Sequence, residues 1–357
     1  MTGTAVRTGP GATARDLVGR LAGGGSGTVF ALLILIFAII FTLNPSFAAP
    51  PSLLAFVKAA APLVILAAGQ YLVIVSGELD LSVGSLVGAQ VVLAAALIDG
   101  EASRTVPVLL LMIAFGAAVG LVNGLVTTLL KVPSIITTLG TMLVLYGAIR
   151  LWTGGAPTGA LSDEFRVAGR GGIEDLPFIG QLPWALLILL AVGGAVVALM
   201  RSPFGRTLVA TGDNDTAAAF SGARVWRVRT LAFVGSSLLA TLAGILIGGF
   251  AGVTAQVGDG LEFAAITAVV LGGVVLGGGR GTVIAAMAGA LTVEALFTLF
   301  NQLSLPSTIQ PTVQGLIIIA AVAYAARERP IRSPRSAEPA LPGPDKPTEV
   351  PPAGGTR

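Results

Sequence analysis

Residues 201–229 read RSPFGRTLVATGDNDTAAAFSGARVWRVR and separate two long apolar runs of the chain. The segment carries five arginines, and its centre predicts a short helix. Asp213 can serve as the N-cap, Asp215 lies in the first turn, where the helix dipole favours an anion, and Gly222 can end the helix. A polar, basic segment between two membrane spans suggests a docking surface for a cytoplasmic partner. The alternative is a solvated loop with an incidental helix.

The predicted helix would have a smooth, mostly apolar surface. Ala217, Ala218 and Ala219 would form a smooth face that a partner backbone could approach closely. Phe220 would add one large apolar anchor to that face.

Composition places the chain in a membrane. Apolar residues make up 54% of it and charged residues only 11%, whereas about a quarter of a soluble domain is charged. Cysteine and histidine are absent, which excludes disulfides, histidine-ligated metals and imidazole catalysis. No lysine follows a glycine, so a Walker A loop is excluded and any ATP site must lie on another chain. The net charge of +3 gives no indication of nucleic-acid binding.

Ten apolar segments of roughly spanning length lie between two polar tails, and we expect residues 28–326 to form one transmembrane domain. The tails, 1–27 and 327–357, have the composition of disordered cytoplasmic segments. The ten predicted spans are 28–43, 53–76, 81–98, 106–130, 135–152, 183–200, 230–250, 264–278, 282–300 and 309–326. Several are short for a hydrocarbon core about 30 Å thick, so some are expected to be broken or re-entrant.

The distribution of positive charge predicts the orientation. With the N-terminus inside, 16 of the 21 lysines and arginines lie on the cytoplasmic side, as the positive-inside rule requires. Both termini are then cytoplasmic. The first apolar run, followed by Ser46-Phe47-Ala48, also resembles a cleavable secretory signal. Because Asn44-Pro45 is typical of an ordinary helix end, we favour a retained first span.

Residues 76–85, SGELDLSVGS, interrupt the apolar run after the second span. Asp80 can cap the next helix, and Ser82 and Ser85 can satisfy its free amides. Gly77 and Gly84 permit tight turns and close packing. Two interpretations are open: a break buried in protein or lining a cavity, and a capped loop at the cytoplasmic surface.

A second break, residues 131–141, contains Pro133 at the start of the fifth span, followed by Thr138 and Gly140. The threonine hydroxyls could face a polar path or bond back to helix carbonyls.

A third break, residues 271–281, is rich in glycine and includes Gly272 and Gly273. Since no strand precedes it and no lysine follows, close helix crossing explains it better than a phosphate site. Arg280 is expected there at the cytoplasmic surface, as a topology anchor or a second partner contact.

Ionisable residues within membrane spans are functional candidates. Lys58 lies near the outer end of its span and can snorkel to the interface. Glu294 lies deeper and could line a path or pair internally. Glu262, in the predicted outer loop before the eighth span, could cap a helix or contact an external partner.

Taken in order, these segments resemble the permease subunits of ribose-type ABC sugar importers over residues 28–326. The matching stretches are SGELDLSVGS at 76–85, NGLVTTLLKVPSIITTLGT at 123–141, WTGGAP at 152–157, SPFGRTLVATGDNDTAAAFSG at 202–222 and GDGLEFAAITAVVLGGVVLGGGRGT at 258–282.

The resemblance implies an all-α, polytopic permease that passes a small neutral sugar by alternating access. It implies no enzyme activity and no cofactor in this chain. ATP and Mg would be held by two cytoplasmic ABC ATPase domains. A second permease subunit, identical or different, would complete the path, and an extracytoplasmic sugar-binding protein would deliver the substrate.

The resemblance also assigns residues. The coupling helix that enters the ATPase would involve Asp213, Asn214, Asp215, Ala217, Ala218, Phe220, Gly222 and Arg224. The path or its helix breaks would involve Gly77, Asp80, Ser82, Gly84, Ser85, Asn123, Pro133, Thr138, Gly140, Gly272, Gly273 and Glu294. Glu262 would contact the external partner.

Three positions depart from the family pattern. Gly77-Glu78-Leu79-Asp80 stands where Gly-Ile-Asp is usual, Asn214-Asp215-Thr216-Ala217 replaces Asn-Glu-Ala-Ala, and an acid expected near Ala264 is missing. The alternatives from other classes are a secondary transporter or facilitator of a small polar solute, a related ABC permease for branched amino acids or nucleosides, and a membrane scaffold.

Overall fold

A computed structural model of the protein describes residues 25–156, 158–254 and 256–327, so most of both predicted tails lies outside the described residues. The described residues form thirteen α-helices and one two-stranded hairpin. The elements are α1 Gly25–Leu43, α2 Pro50–Val75, α3 Val83–Ile98, α4 Ala102–Leu129, α5 Ser134–Thr153, α6 Asp163–Arg170, β1 Gly172–Leu176, β2 Gly180–Pro183, α7 Trp184–Arg201, α8 Pro203–Asp213, α9 Asp215–Phe220, α10 Val225–Ala251, α11 Leu261–Leu271, α12 Val283–Gln302 and α13 Ile309–Arg327.

Six helices of the described ranges are long and apolar enough to cross a membrane, namely α2, α4, α5, α7, α10 and α12. The apolar helices α1, α3, α11 and α13 give shorter or less clear spans. The predicted all-α, polytopic membrane fold is thus confirmed in its class, whereas the number of ten spans stays a prediction. Helix formation itself follows from the solvent, because a bilayer offers no water to backbone amides and carbonyls.

Two central helices hold the bundle together. α10 packs along α4 and α2, and α2 also contacts α7, α11 and α12. Small residues let the backbones approach. Gly116, Gly120 and Gly124 form one face of α4 at four-residue spacing, directed at α10. A Cβ atom at Gly120 would lie 2.7 Å from the Phe233 carbonyl oxygen, so this contact accepts only glycine.

α11 is shorter than expected. The predicted span 264–278 ends as a helix at Leu271, and residues 272–282 contain no regular helix. Eleven helical residues extend only about 16 Å, roughly half of a bilayer core. The early stop has a steric cause, because Gly273 has a φ of +80°, which ends a right-handed helix.

The first helix belongs to the folded bundle. Val29 of α1 is buried against Ala285 and Ala288 of α12. Farther along, Phe37 packs edge-on against Phe56 of α2 with ring centroids 5.2 Å apart. Whether this span is retained or cleaved as a signal stays a prediction.

The segment between α5 and α7 is folded, although its hydropathy predicts no element there. Ser162 caps α6 by accepting a hydrogen bond from the Phe165 N–H at 3.2 Å, and Phe165 is buried against α3 and α4. β1 and β2 then pair antiparallel. Lys58 of α2 donates to the Arg170 carbonyl at 2.7 Å, so its ammonium group anchors α2 to α6 at the predicted outer end.

Glycine packing generates a stability prediction. A Cβ atom at Gly289 of α12 would clash with the Ala268 carbonyl and lie 3.0 Å from the Gly272 nitrogen, whereas one at Gly194 of α7 would meet nothing within 4 Å. We expect Gly289→Ala to lower the free energy of unfolding by about 1–3 kcal/mol, seen as a lower melting temperature in detergent. Gly194→Ala is the matched control and should melt like the wild type. Equal melting of both variants would contradict the packing account.

Candidate functional site

Residues 201–229 are almost entirely helical. α7 ends at Arg201, α8 and α9 follow, and α10 begins at Val225 instead of at residue 230. α9 starts one residue later than predicted, because Asp213 is the last residue of α8. The N-cap is Asn214, whose Oδ1 accepts the Ala217 N–H at 2.9 Å. The predicted capping role of Asp213 is therefore wrong. Asn214 caps because its backbone is extended, with φ of −157°.

The C-terminal end of α9 is as predicted. Gly222 has a φ of +91°. Its N–H donates to the Ala219 carbonyl at 3.0 Å, and the Ala223 N–H donates to the Ala218 carbonyl at 3.1 Å. These two bonds constitute a Schellman motif, in which a left-handed glycine satisfies the last helix carbonyls.

α9 exposes an apolar surface, although its alanines do not form one face. The Phe220 side chain is 89% exposed, whereas Ala218 is only 5% exposed and faces the protein. Ala217 and Ala219 are exposed. The prediction of one smooth alanine face is therefore wrong, because Ala218 contributes to internal packing. Arg224 and Trp226, which follow in the chain, are also exposed, and the Arg227 guanidinium lies 5.1 Å from the Trp226 ring centroid.

The end of α8 contacts two other backbones at what we call the glycine junction, formed by Gly77, Gly212, Gly278 and Gly279. The Gly279 N–H donates to the Val75 carbonyl at 2.9 Å, and a Cβ atom at Gly212 would clash with that carbonyl. A Cβ atom at Gly278 would lie 2.7 Å from the Gly77 nitrogen. The junction thereby joins α8, the end of α2 and the glycine-rich segment after α11.

The glycine-rich segment also crosses α12 closely. A Cβ atom at Gly272 would clash with the Ala285 carbonyl, which confirms the predicted close crossing at this position.

The segment after α2, residues 76–82, is hydrogen-bonded; it is buried at residues 76, 80 and 82 and partly exposed between them. Asp80 has no exposed surface, and its Oδ1 accepts the Ser82 N–H at 2.9 Å and the Ser82 hydroxyl at 2.6 Å. The prediction that Asp80 caps α3 is therefore wrong. Ser82 occupies the N-cap position and provides no side-chain cap. Ser85 donates its hydroxyl to the Ser82 carbonyl at 2.9 Å.

Two neighbouring helices satisfy the rest of this segment. Asn123 of α4 donates to the Ser82 hydroxyl at 2.9 Å and accepts from Thr141 of α5 at 2.6 Å. Ser134 and Thr138, both on α5, accept the N–H groups of residues 79 and 81 at 3.1 and 3.0 Å. Of the two interpretations left open for the break, the structure confirms the one buried in protein.

The threonines of α5 also bond back to their own helix. Thr138 donates to the Ser134 carbonyl at 2.8 Å. The Thr141 hydroxyl also lies 3.1 Å from the Thr137 carbonyl, so its one proton is shared between that carbonyl and Asn123. Pro133 precedes α5 at its N-cap, as predicted. Gly140 is exposed on the opposite side, with open space around it, so within this chain it is not part of the buried network.

Glu262 does not lie in an external loop. It occupies the first turn of α11 and is buried. Side chains at Gly84 and Gly88 of α3 would clash with the Glu262 carboxylate and the Val257 carbonyl respectively. The predicted contact of Glu262 with an external partner is therefore wrong, because the segment before α11 folds into the protein and packs against the first two turns of α3. A carboxylate beside the uncapped start of α3 interacts favourably with its dipole.

Glu294 lines a cavity of about 480 Å³ and forms no ion pair among the described residues. Polar groups and two aromatic rings share its wall. The lining residues include Phe250, Asp259, Glu294, Phe297, Gln310 and Gln314. Carboxylates and amides can hydrogen-bond hydroxyl groups, and the rings offer apolar contact. Glu294 could line a path or pair internally, and the geometry favours the first of these roles.

The sequence did not point to two residues of this site, Ser236 and Arg229. Ser236 of α10 contacts Asp80, with its hydroxyl 3.5 Å from Oδ2. Arg229 of α10 forms ion pairs with both Glu78 and Asp215. The available indication was that Arg229 immediately precedes an apolar run. Throughout the described ranges, acidic side chains do not gather in groups of three that could hold a metal ion.

Comparison with known proteins agrees with this architecture. Residues 52–322 match the family model described as branched-chain amino acid transport system / permease component. The autoinducer 2 import system permease protein LsrC of Klebsiella pneumoniae subsp. pneumoniae is 35% identical over 85% of this chain and 86% of its own length. LsrC of Enterobacter sp. strain 638 is 33% identical, over 85% and 87%, and LsrC of Photorhabdus laumondii 32%, over 85% and 89%. No solved structure matches.

The family match covers most of the chain, and the relatives align nearly end to end. The chain therefore belongs to this permease family of ABC import systems and is a multi-pass protein of the cytoplasmic membrane.

Proposed function

We propose that this permease imports a small neutral polyol, such as a monosaccharide or a similar molecule, by alternating access. Ten spans with both termini cytoplasmic would place α8 and α9 inside the cell, where two ABC ATPase domains would dock and hydrolyse ATP. This chain would hold no ATPase site and no cofactor. A second permease subunit would complete the path, and an extracytoplasmic binding protein would supply the substrate.

The main support for ATP-driven transport is the glycine junction. The Phe220 side chain of α9 is exposed on the surface of the protein. α8 leads into α9 and contacts the backbone at the end of α2 through Gly212. An ATPase that moves α9 would therefore move the break at 76–82 without an intervening flexible loop. A secondary transporter has no need of such an exposed surface coupled to a buried break.

The cavity beside Glu294 supports the substrate class. Its polar lining offers carboxylate and amide groups that suit hydroxyls, and Phe250 and Phe297 suit the apolar faces of a ring. The described residues that line the cavity include no lysine or arginine. A branched amino acid would bring a carboxylate, and the described lining holds two acidic residues, Asp259 and Glu294, with no cation to neutralise it, so we place the polyol ahead of it. The relatives named as autoinducer 2 permeases support import of a small organic solute.

The docking role of α9 predicts a specific loss of ATPase binding. Phe220→Arg should reduce co-purification of the partner ATPase at least tenfold, because buried aromatic anchors dominate interface energy and truncating one costs about 2 kcal/mol or more. Phe178→Arg is the matched control: Phe178 lies in the β1–β2 turn and is also almost fully exposed. It should retain ATPase binding. Equal binding by the two variants would contradict docking at α9.

Ala217→Arg gives a second exposed test of the same surface, with the same expected loss of ATPase. Ala218→Arg is unsuitable, because a buried Ala218 would confound loss of docking with loss of folding.

The path role of Glu294 predicts a loss of uptake without loss of assembly. Glu294→Ala should lower uptake at limiting substrate roughly threefold to tenfold, since one hydrogen bond to substrate contributes about 0.5–1.5 kcal/mol. Co-purification of the ATPase should not change. Glu101→Ala is the control, because Glu101 is exposed and pairs with Arg104 away from the cavity. Uptake by Glu294→Ala equal to that of the control would remove Glu294 from the path.

A further inference from the structure

Arg229 contacts three groups from two different elements. It lies in the second turn of α10. Its Nε donates to the Ser76 carbonyl at 3.2 Å, and its Nη1 lies 3.3 Å from Glu78 Oε1 and 3.6 Å from Asp215 Oδ2. A single guanidinium group thus connects α9 with the buried break at 76–82.

The two ion pairs differ in their exposure to water. The side chains of Arg229 and Glu78 are 19% and 15% exposed, whereas that of Asp215 is 54% exposed. Water and salt screen an exposed pair strongly and a partly buried pair much less. The pair with Asp215 is also longer. Arg229 is therefore held firmly to the break and weakly to α9.

α10 contacts the break at a second level. Ser236 follows Arg229 by seven residues, which places both on one face of the helix. Ser236 contacts Asp80, while Arg229 contacts Glu78. A shift of α10 therefore acts on both charged residues of the segment.

Space for movement lies beside the guanidinium. A cavity of about 480 Å³ is lined by residues that include Glu78, Lys131, Asp215, Trp226 and Arg229. The Arg229 side chain can therefore leave Asp215 without meeting packed atoms. Glu78, one of the departures from the family pattern, acquires a role in this arrangement as the fixed partner of Arg229.

We propose that Arg229 is the positioning residue that couples displacement of α9 to the break at 76–82. When the ATPase moves α9, the Asp215 pair opens and the displacement reaches α10 through residues 221–224, which join the two helices. Arg229 then passes it to the break, because the Glu78 pair and the Ser76 hydrogen bond persist. This inference rests on the proposed coupling role of α9.

The test uses the assembled complex of permease, ATPase and binding protein in liposomes, with substrate imported per ATP hydrolysed as the readout. Arg229→Gln should keep ATPase association and hydrolysis but import at least tenfold less substrate per ATP. Arg104→Gln is the matched control, since Arg104 also pairs with a glutamate, Glu101, but both side chains are exposed. It should remain within twofold of the wild type. A merely structural role would lower assembly and hydrolysis together with import.

Further variants identify the partner. Glu78→Gln should uncouple like Arg229→Gln, and the double variant should lose no more than either single one, because both remove the same interaction. Asp215→Asn should change import per ATP by less than threefold. A double variant whose losses multiply would overturn the proposed pairing.

Arg229→Lys keeps the inference testable if Arg229→Gln fails to fold. Lysine retains the charge but lacks the planar fork that reaches Ser76 and Glu78 together, so import per ATP should fall about threefold in a stable protein. Wild-type import per ATP in Arg229→Lys, or in a folded Arg229→Gln, would overturn the inference. Failure of the wild-type permease to bind any ATPase would instead overturn the proposed function, which separates the two.

Discussion

A break between two helices that is buried inside a membrane protein must find partners for its free backbone groups within the protein, because no water reaches them there. The break at 76–82 meets this requirement with side chains from other helices: Asn123, Ser134 and Thr138 hold it from α4 and α5. The arrangement of α3, α4, α5 and α10 depends on this constraint. Each must lie close enough to place a hydrogen-bonding group against the break.

The same constraint connects the buried break with α8, α9 and α10. Residues satisfied from several helices cannot move independently of them, so a displacement of one helix changes the hydrogen bonds of the others. At its first residues the break meets α8 through glycine backbones and α10 through Arg229. The polar network and the glycine junction thus form one continuous contact from α9 to Asn123.

Local features of the sequence predicted local structure well. Gly222 ended α9 as expected because a left-handed residue is determined by nearest neighbours. Asp213 and Asn214 could both cap on chemistry alone, and only the backbone conformation distinguishes them. The membrane class and the positions of the breaks followed from hydropathy and glycine content.

Predictions that depend on tertiary placement did less well. The burial of Ala218 depends on how α9 is rotated against the bundle, which no periodicity in a six-residue helix reveals. Glu262 was expected outside because its position was inferred from a full-length span, whereas α11 spans only half of one. The pairing of Glu78 with Arg229 joins residues about 150 positions apart, and a single sequence carries no information on that distance.

The glycine junction has a genetic consequence. Every amino acid other than glycine carries a Cβ atom, so each missense change in the Gly212 or Gly278 codons introduces an atom where a neighbouring backbone already lies. No conservative replacement exists at these positions. Substrate preference can diversify through the codons for cavity residues, whereas the codons of the junction have no neutral missense neighbours from which such change could begin.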